Sequence, residues 1–117
     1  MTENAQWTQV CALTDIIPNA GVCAKVGEAQ VAVFRLVSPQ GVEEGVFGLS
    51  NFDPKSKANV LSRGLVGDLG GIPVVASPVY KNHYALTTGV CLEDEELRVP
   101  VYSVRVVEGA VLVSAAT

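Results

Sequence analysis

The sequence has few of the residues that usually build metal and catalytic centres. It contains one histidine, His83, and three cysteines, Cys11, Cys23 and Cys91, none of which is part of a C-x-x-C pair. Three thiolates and one imidazole could in principle form a tetrahedral zinc site, but such sites usually take two ligands from one tight turn. His83 also has no identifiable nucleophile as a partner for general-base catalysis. We therefore predict no metal site and no catalytic residues.

The chain also lacks long apolar segments. Its start, MTENAQWTQV, has neither the basic residues nor the apolar core of a secretory signal. The segment GLVGDLGGIPVVASPVY is interrupted by Asp68, by glycines and by two prolines, so it does not suit a bilayer. We expect a cytoplasmic protein with no membrane role. Disulfides are rare in that compartment, so the cysteines are expected to be free thiols, at least some of them buried.

Charged residues are scarce and unevenly distributed. They make up 17% of the chain, whose net charge is −4. Residues 53–83 have four basic and two acidic side chains, a net charge of +2, whereas the remainder has four basic and ten acidic ones, a net charge of −6. A basic region on an acidic body can steer docking onto an acidic partner. Solvation of exposed loops explains the same charges nearly as well. The candidate interface residues are Lys55, Lys57, Arg63 and Lys81.

A nucleic-acid partner is excluded by the same pattern, because the net charge is negative and no series of aromatic side chains accompanies the lysines. At 117 residues, the chain is long enough for one domain with its own core. Its 21 valines, against 10 leucines and 3 isoleucines, favour strands. We predict a single all-β domain over residues 1–117.

Turn signals divide the chain into extended segments. GVCAKVG and AQVAVFRLV flank Glu28 and predict a hairpin, and VPVYSVRVVEGAVLVS predicts a second hairpin that turns at Glu108 and Gly109. Residues 51–83 are expected to form a loop-rich subdomain at one end of an antiparallel β-sandwich, with only a short helical turn near residues 56–61. This block contains Pro54, Gly64, Gly67, Gly70, Gly71, Pro73 and Pro78.

Four segments resemble the Rieske ferredoxin pattern through roughly residues 46–113: VFGLSNFDPKS, SRG, VVASPVYKNHYALTTGVCLE and LRVPVYSVRVVEGAVLV. The resemblance aligns a Cys-Pro-His with Asp53-Pro54-Lys55 and a Cys-Pro-x-His with Ser77-Pro78-Val79-Tyr80. The prolines and the turn at residues 86–89 are retained. The resemblance implies a Rieske-like antiparallel β-sandwich in which the loops of residues 53–58 and 77–83 lie side by side.

The substitutions decide the chemistry of these loops. A Rieske [2Fe–2S] centre requires two thiolates and two imidazoles. The four vacated ligand positions hold a carboxylate, an ammonium and two hydroxyls: Asp53, Lys55, Ser77 and Tyr80. We therefore predict no iron–sulfur cluster and no cofactor in this chain. Apolar packing is expected to fill the vacated volume, using Phe52, Val79, Tyr80 and Tyr84.

The longer segments NFDPKSKANVLSRGLVGD and GGIPVVASPVYK resemble the small subunits of assimilatory NAD(P)H-dependent nitrite reductases, the SRG-x-VGD run being the more specific part. In that family the large subunit is implied to carry FAD, a [4Fe–4S] centre and sirohaem and to reduce nitrite to ammonium. The resemblance implies a non-catalytic subunit that associates with the large subunit. The alternative is a stand-alone Rieske-like binding or redox module that uses a different cofactor.

Overall fold

The computed structural model describes residues 6–114. Residues 1–5 and 115–117 lie outside the described residues, and with them half of the ten-residue segment used to predict a cytoplasmic location. Strands dominate, with two short 3-10 helices between them. In chain order the elements are β1 (Trp7–Ala12), η1 (Leu13–Asp15), β2 (Ala20–Val26), β3 (Ala29–Val37), β4 (Glu43–Ser50), β5 (Phe52–Asp53), β6 (Ala58–Asn59), η2 (Leu61–Arg63), β7 (Leu65–Leu69), β8 (Ile72–Ala76), β9 (His83–Ala85), β10 (Val101–Tyr102), β11 (Val104–Val107) and β12 (Ala110–Ser114).

The strands form four antiparallel groups. Strand β12 lies between β1 and β11 in one sheet, and a second sheet has the order β10-β4-β3-β2. A third sheet has the order β7-β8-β9, and β5 pairs with β6 as a short hairpin. The all-β architecture predicted from the valine-rich composition is confirmed. Within residues 6–114 no helix is long and apolar enough to cross a membrane.

Strand β3 is the centre of the molecule because both of its faces are buried. Val31 and Val33 pack with Val111 and Val113 of β12 in a core between the first two sheets. The alternate residues of β3 face a second core, since successive side chains of a strand point to opposite faces. That second core joins the central sheet to residues 61–99 and contains Ala32, Phe34, Leu49, Leu61, Val75, Tyr84, Leu86, Cys91 and Val99.

The first predicted hairpin is confirmed, and the second is confirmed from Val104 onward, whereas Val101 and Tyr102 pair with β4 in the other sheet. Val26 pairs with Ala29 across a two-residue turn, and Val107 pairs with Ala110 across Glu108 and Gly109. Both residues of the second turn have positive φ, 50° and 82°, as a type I′ turn requires. This turn twists in the same sense as the strands that it connects, so it fixes the register of the β11–β12 pair.

The block of residues 51–83 contains more strand than its glycines and prolines suggest. Strands β7 and β8 pair over five residue pairs and turn at Gly70 and Gly71, whose φ angles of 61° and 90° suit a type I′ turn. The expected helical turn is misplaced: residues 56–57 form a turn, Ala58 and Asn59 form β6, and the 3-10 helix begins at Leu61. Asn51 fixes this helix, since its Oδ1 accepts a hydrogen bond of 2.7 Å from Ser62 N.

Candidate functional site: two loops joined at Asp53

The two loops that the sequence places side by side are in direct contact. The Ser77 hydroxyl donates a hydrogen bond of 2.6 Å to Asp53 Oδ2, and both residues are fully buried. Nearer the surface, the Lys55 ammonium lies 5.6 Å from the centre of the Tyr80 ring, within the range of a cation–π contact. All four vacated ligand positions are therefore brought together in pairs, one pair buried and one pair exposed.

The two loops have the same backbone closure. The amide of Lys57 donates to the carbonyl of Asp53 at 2.7 Å, and the amide of Lys81 donates to the carbonyl of Ser77 at 3.0 Å. In both loops a proline follows the first residue, and its fixed φ restricts the entry into the turn. The proline positions predicted to preserve loop shape therefore stand at equivalent places.

The Asp53 carboxylate accepts hydrogen bonds from both loops and from β9. Its donors lie on the 53–57 loop (Ser56 Oγ at 2.8 Å and Lys55 N at 3.0 Å), on the 77–82 loop (Ser77 Oγ, and Asn82 Nδ2 at 3.4 Å) and on β9 (Tyr84 OH at 2.6 Å). No cation is among these partners. One buried carboxylate thus joins three segments of the chain.

Hydrogen bonding keeps this buried carboxylate ionised. Burial alone raises the pKa of Asp53, but the bonds from Ser77, Tyr84, Ser56 and the Lys55 amide outweigh it and lower the pKa from 3.8 to about 2. The same contact acts in the opposite sense on the phenol, because burial and the nearby Asp53 charge raise the pKa of Tyr84 far above its ordinary value of 10. Asp53 therefore accepts and Tyr84 donates throughout the physiological pH range.

The expectation that apolar packing fills the vacated volume is wrong for three of the four residues named. Tyr84 is fully buried, but Phe52, Val79 and Tyr80 are 43%, 48% and 58% exposed. The interior is occupied instead by Asp53, Ser77 and Asn82, whose side chains meet at the Asp53 carboxylate, although the buried Oδ1 of Asn82 has no hydrogen-bond partner. Polar contacts around a carboxylate, rather than apolar side chains, join the loops.

The donor set does not fit a [2Fe–2S] cluster. Thiolate and imidazole ligands are replaced by Asp53, Lys55, Ser77 and Tyr80, and the carboxylate that remains is already saturated with hydrogen bonds. In the described part of the chain, no three His, Cys, Asp or Glu side chains converge as metal ligands. The three cysteines are free thiols, and Cys91 is buried among apolar residues that raise the pKa of its thiol.

The predicted interface residues separate into two places. Lys55, Lys57 and Lys81 are exposed on the two loops, together with the exposed Phe52 and Tyr80; we call this surface the loop tip. Arg63 is exposed as well, but it lies in η2, which packs on β2 and β3. Three partners of Asp53 were not predicted from the sequence: Ser56, Asn82 and the Tyr84 hydroxyl. The one local sign of such a turn was Asp53 directly before Pro54, with Ser56 two residues further on.

Fold and loops together define a domain of the Rieske type whose two loops are joined by a hydrogen-bonded network around Asp53. The family model described as a Rieske-like [2Fe–2S] domain matches residues 6–114. The nitrite reductase (NADH) small subunit of Escherichia coli K12 is 44% identical over 107 residues, which cover 92% of this chain and 95% of that protein. The chain therefore belongs to the Rieske-like [2Fe–2S] domain family and, within it, to the nitrite reductase small subunits.

Two further relatives support the assignment to the nitrite reductase small subunits. The crystal structure of a Mycobacterium tuberculosis protein described as an NADH-dependent nitrite reductase small subunit matches with a TM-score of 0.88 at 42% identity, covering 98% of this chain and 99% of that one. The Klebsiella oxytoca nitrite reductase [NAD(P)H] large subunit is 42% identical over 92% of this chain, although the match is only 11% of that protein. A segment like this chain is thus part of a large-subunit polypeptide in that organism.

Proposed function

We propose that this chain is the non-catalytic small subunit of an assimilatory NAD(P)H-dependent nitrite reductase, which converts nitrite to ammonium. The observation that carries the proposal is the 44% identity to the Escherichia coli small subunit over nearly the whole length of both chains. The Klebsiella large subunit adds support, because a homologous segment shares one polypeptide with the rest of that subunit. Fusion of that kind is expected of domains that work in contact.

The proposal assigns the redox chemistry to the large subunit. FAD, the [4Fe–4S] centre and sirohaem would all be bound there, since the loops of this chain offer a saturated carboxylate and no thiolate or imidazole pair. No observation favours the alternative of a stand-alone module with a different cofactor, because Asp53 and Tyr84 fill the interior between the loops. A cytoplasmic location stays a prediction of the same proposal.

We further propose that the loop tip is the surface that binds the large subunit. It combines three lysines with two exposed aromatic rings on an otherwise acidic chain. Aromatic side chains are enriched at the centres of interfaces, and exposed charges chiefly steer the encounter. Arg63 is a further candidate, on the 3-10 helix η2 rather than on either loop.

Binding to purified large subunit from the same organism tests the proposal. Charge reversal at Lys55, Lys57 and Lys81 should slow association and weaken its dependence on salt, because steering by exposed charges is screened at higher ionic strength. Reversal of Lys25, exposed on β2, is the matched control and should change little. Arg63→Ala should also have a small effect. If the wild-type chain does not bind, the assignment as a small subunit fails; if the triple variant binds like wild type, the loop tip is not the interface.

A further inference from the structure

The two loops end on lysines in an uncommon backbone conformation. Lys57 has φ of 60° and Lys81 has φ of 64°, and both occupy the fourth position after the residue that begins their loop. Their amides close the two equivalent turns onto Asp53 and Ser77. The correspondence covers backbone conformation, hydrogen bonding and residue type.

Lysine is an unfavourable choice for this conformation. Positive φ near 60° is the left-handed region, which glycine enters freely and asparagine enters more readily than other residues. Asn19 illustrates the ordinary solution elsewhere in this chain, with φ of 62°. A costly residue at two equivalent positions indicates that its side chain is needed there, since strained conformations persist where function requires them.

The two side chains differ in their surroundings, but neither charge is neutralised by a carboxylate of the described chain. Both lysines are exposed, and no carboxylate in residues 6–114 lies within ion-pair distance of either ammonium. Lys81 Nζ donates to the carbonyl of Pro78 at 2.9 Å, which directs the ammonium back over its own loop. The ionised Asp53 is buried and saturated by other donors, so it does not neutralise them.

We propose that Lys57 and Lys81 form a two-point anchor for a pair of carboxylates on the large subunit. This inference rests on the proposed function and names the chemistry of the partner surface. The anchor is pre-organised, because each lysine amide is bonded to the first residue of its loop and those two residues are joined through the 2.6 Å contact between Ser77 and Asp53. Fixed backbone positions for the two lysines limit the anion spacings that their side chains can reach and reduce the ordering cost of binding.

Uncharged and charge-conserving double variants separate the role of the charge from that of the backbone. The double variant Lys57→Asn, Lys81→Asn places asparagine at both positions. Asparagine tolerates the left-handed conformation but has no ammonium group. In Lys57→Arg with Lys81→Arg, the charge is kept. Glu108→Asn changes another residue of positive φ, 50°, in the β11–β12 turn, and Lys25→Asn removes a cation from β2; both are matched controls. The measurements are affinity for purified large subunit and thermal unfolding of each free variant.

The asparagine pair should bind about tenfold or more weakly than wild type while melting within about 2 °C of it or above it. The arginine pair and both controls should bind within about twofold of wild type. Wild-type affinity in the asparagine pair, or an equal loss in the arginine pair, would overturn the anchor. Failure of the wild-type chain to bind would instead refute the assignment as a small subunit, so the two failures are distinguishable.

Discussion

Replacing Asp53 by asparagine tests whether one buried carboxylate holds the loops together. Asparagine keeps the size of the side chain but removes the charge and one acceptor oxygen. Its NH₂ group would face either the Ser77 hydroxyl, which now donates to Oδ2, or the Tyr84 hydroxyl, which now donates to Oδ1, each at 2.6 Å. Hydrogen bonds to a charged group contribute about 1.5–3 kcal/mol each, and buried donors left without an acceptor add a desolvation cost. We expect the free energy of unfolding to fall by about 2–4 kcal/mol near neutral pH.

The pH dependence gives a sharper version of this prediction. The folded-state pKa of Asp53 is lowered from 3.8 to about 2, so its stabilising contribution is fully present above pH 3.8 and is lost as pH falls through about 2. A difference of about 1.8 pKa units corresponds to about 2 kcal/mol. The stability gap between wild type and Asp53→Asn should therefore narrow by about 2 kcal/mol between about pH 4 and about pH 2.

Urea unfolding of both proteins at a series of pH values measures this gap directly. Other carboxylates with lowered pKa, such as Glu43 and Glu93, are present in both proteins and cancel in the difference. A gap that stays constant from about pH 6 to about pH 2 would refute the reasoning, because it would mean that Asp53 titrates alike in the folded and unfolded chains. A gap close to zero at neutral pH would show that the network adds nothing to stability.

Two further pairs of substitutions, each a test and its control, probe the site and the rest of the fold. Tyr84→Phe keeps the buried ring but removes one donor to Asp53, and should lower the free energy of unfolding by about 1–2 kcal/mol. Tyr80→Phe, on a side chain that is 58% exposed, should change it by less than about 0.5 kcal/mol, and equal effects in denaturant titrations would count against a special role for Tyr84. Gly89→Ala should cost about 3 kcal/mol or more, because φ is +77° and a Cβ would lie 2.2 Å from the Val99 carbonyl oxygen. Gly41→Ala, with φ of +83° but open space around it, should cost only about 1 kcal/mol, and similar melting temperatures for the two variants would contradict the steric argument.

Local patterns were sufficient for the β2–β3 and β11–β12 hairpins and their turns. The sequence around Glu108 and Gly109 alternates between inward and outward residues, and the structure has that register, with Val111 and Val113 buried. The turn preferences that predict those hairpins also fit residues 64–76, which were expected to be a loop. Glycines were interpreted as loop residues, although Gly70 and Gly71 form the paired-glycine turn that is typical of a hairpin. In β7 the apolar residues remain largely exposed, so hydrophobic periodicity gives little sign of a strand there.

The candidate site was predictable in position but not in physical character. Proline spacing and the resemblance to Rieske domains located both loops and the four vacated ligand positions. Comparison of residue types alone could not show that the carboxylate of Asp53 becomes the shared acceptor. Its donors come from residues 55, 56, 77, 82 and 84, and only the folded chain brings them within hydrogen-bond distance. Tyr84 was expected to fill volume with its aromatic ring, whereas its hydroxyl also donates a hydrogen bond to Asp53.

Loops joined by a hydrogen-bonded carboxylate form under different conditions from loops joined by a metal cluster. Metal ligation couples the folding of a site to the supply of its cofactor. The Asp53 network needs only an ionised carboxylate, and with a pKa of about 2 that requirement is met near neutral pH. Every donor in the network belongs to the same chain. The shape of the loop tip, which includes Lys55, Lys57 and Lys81, therefore depends on the folding of this chain and on the Asp53 network.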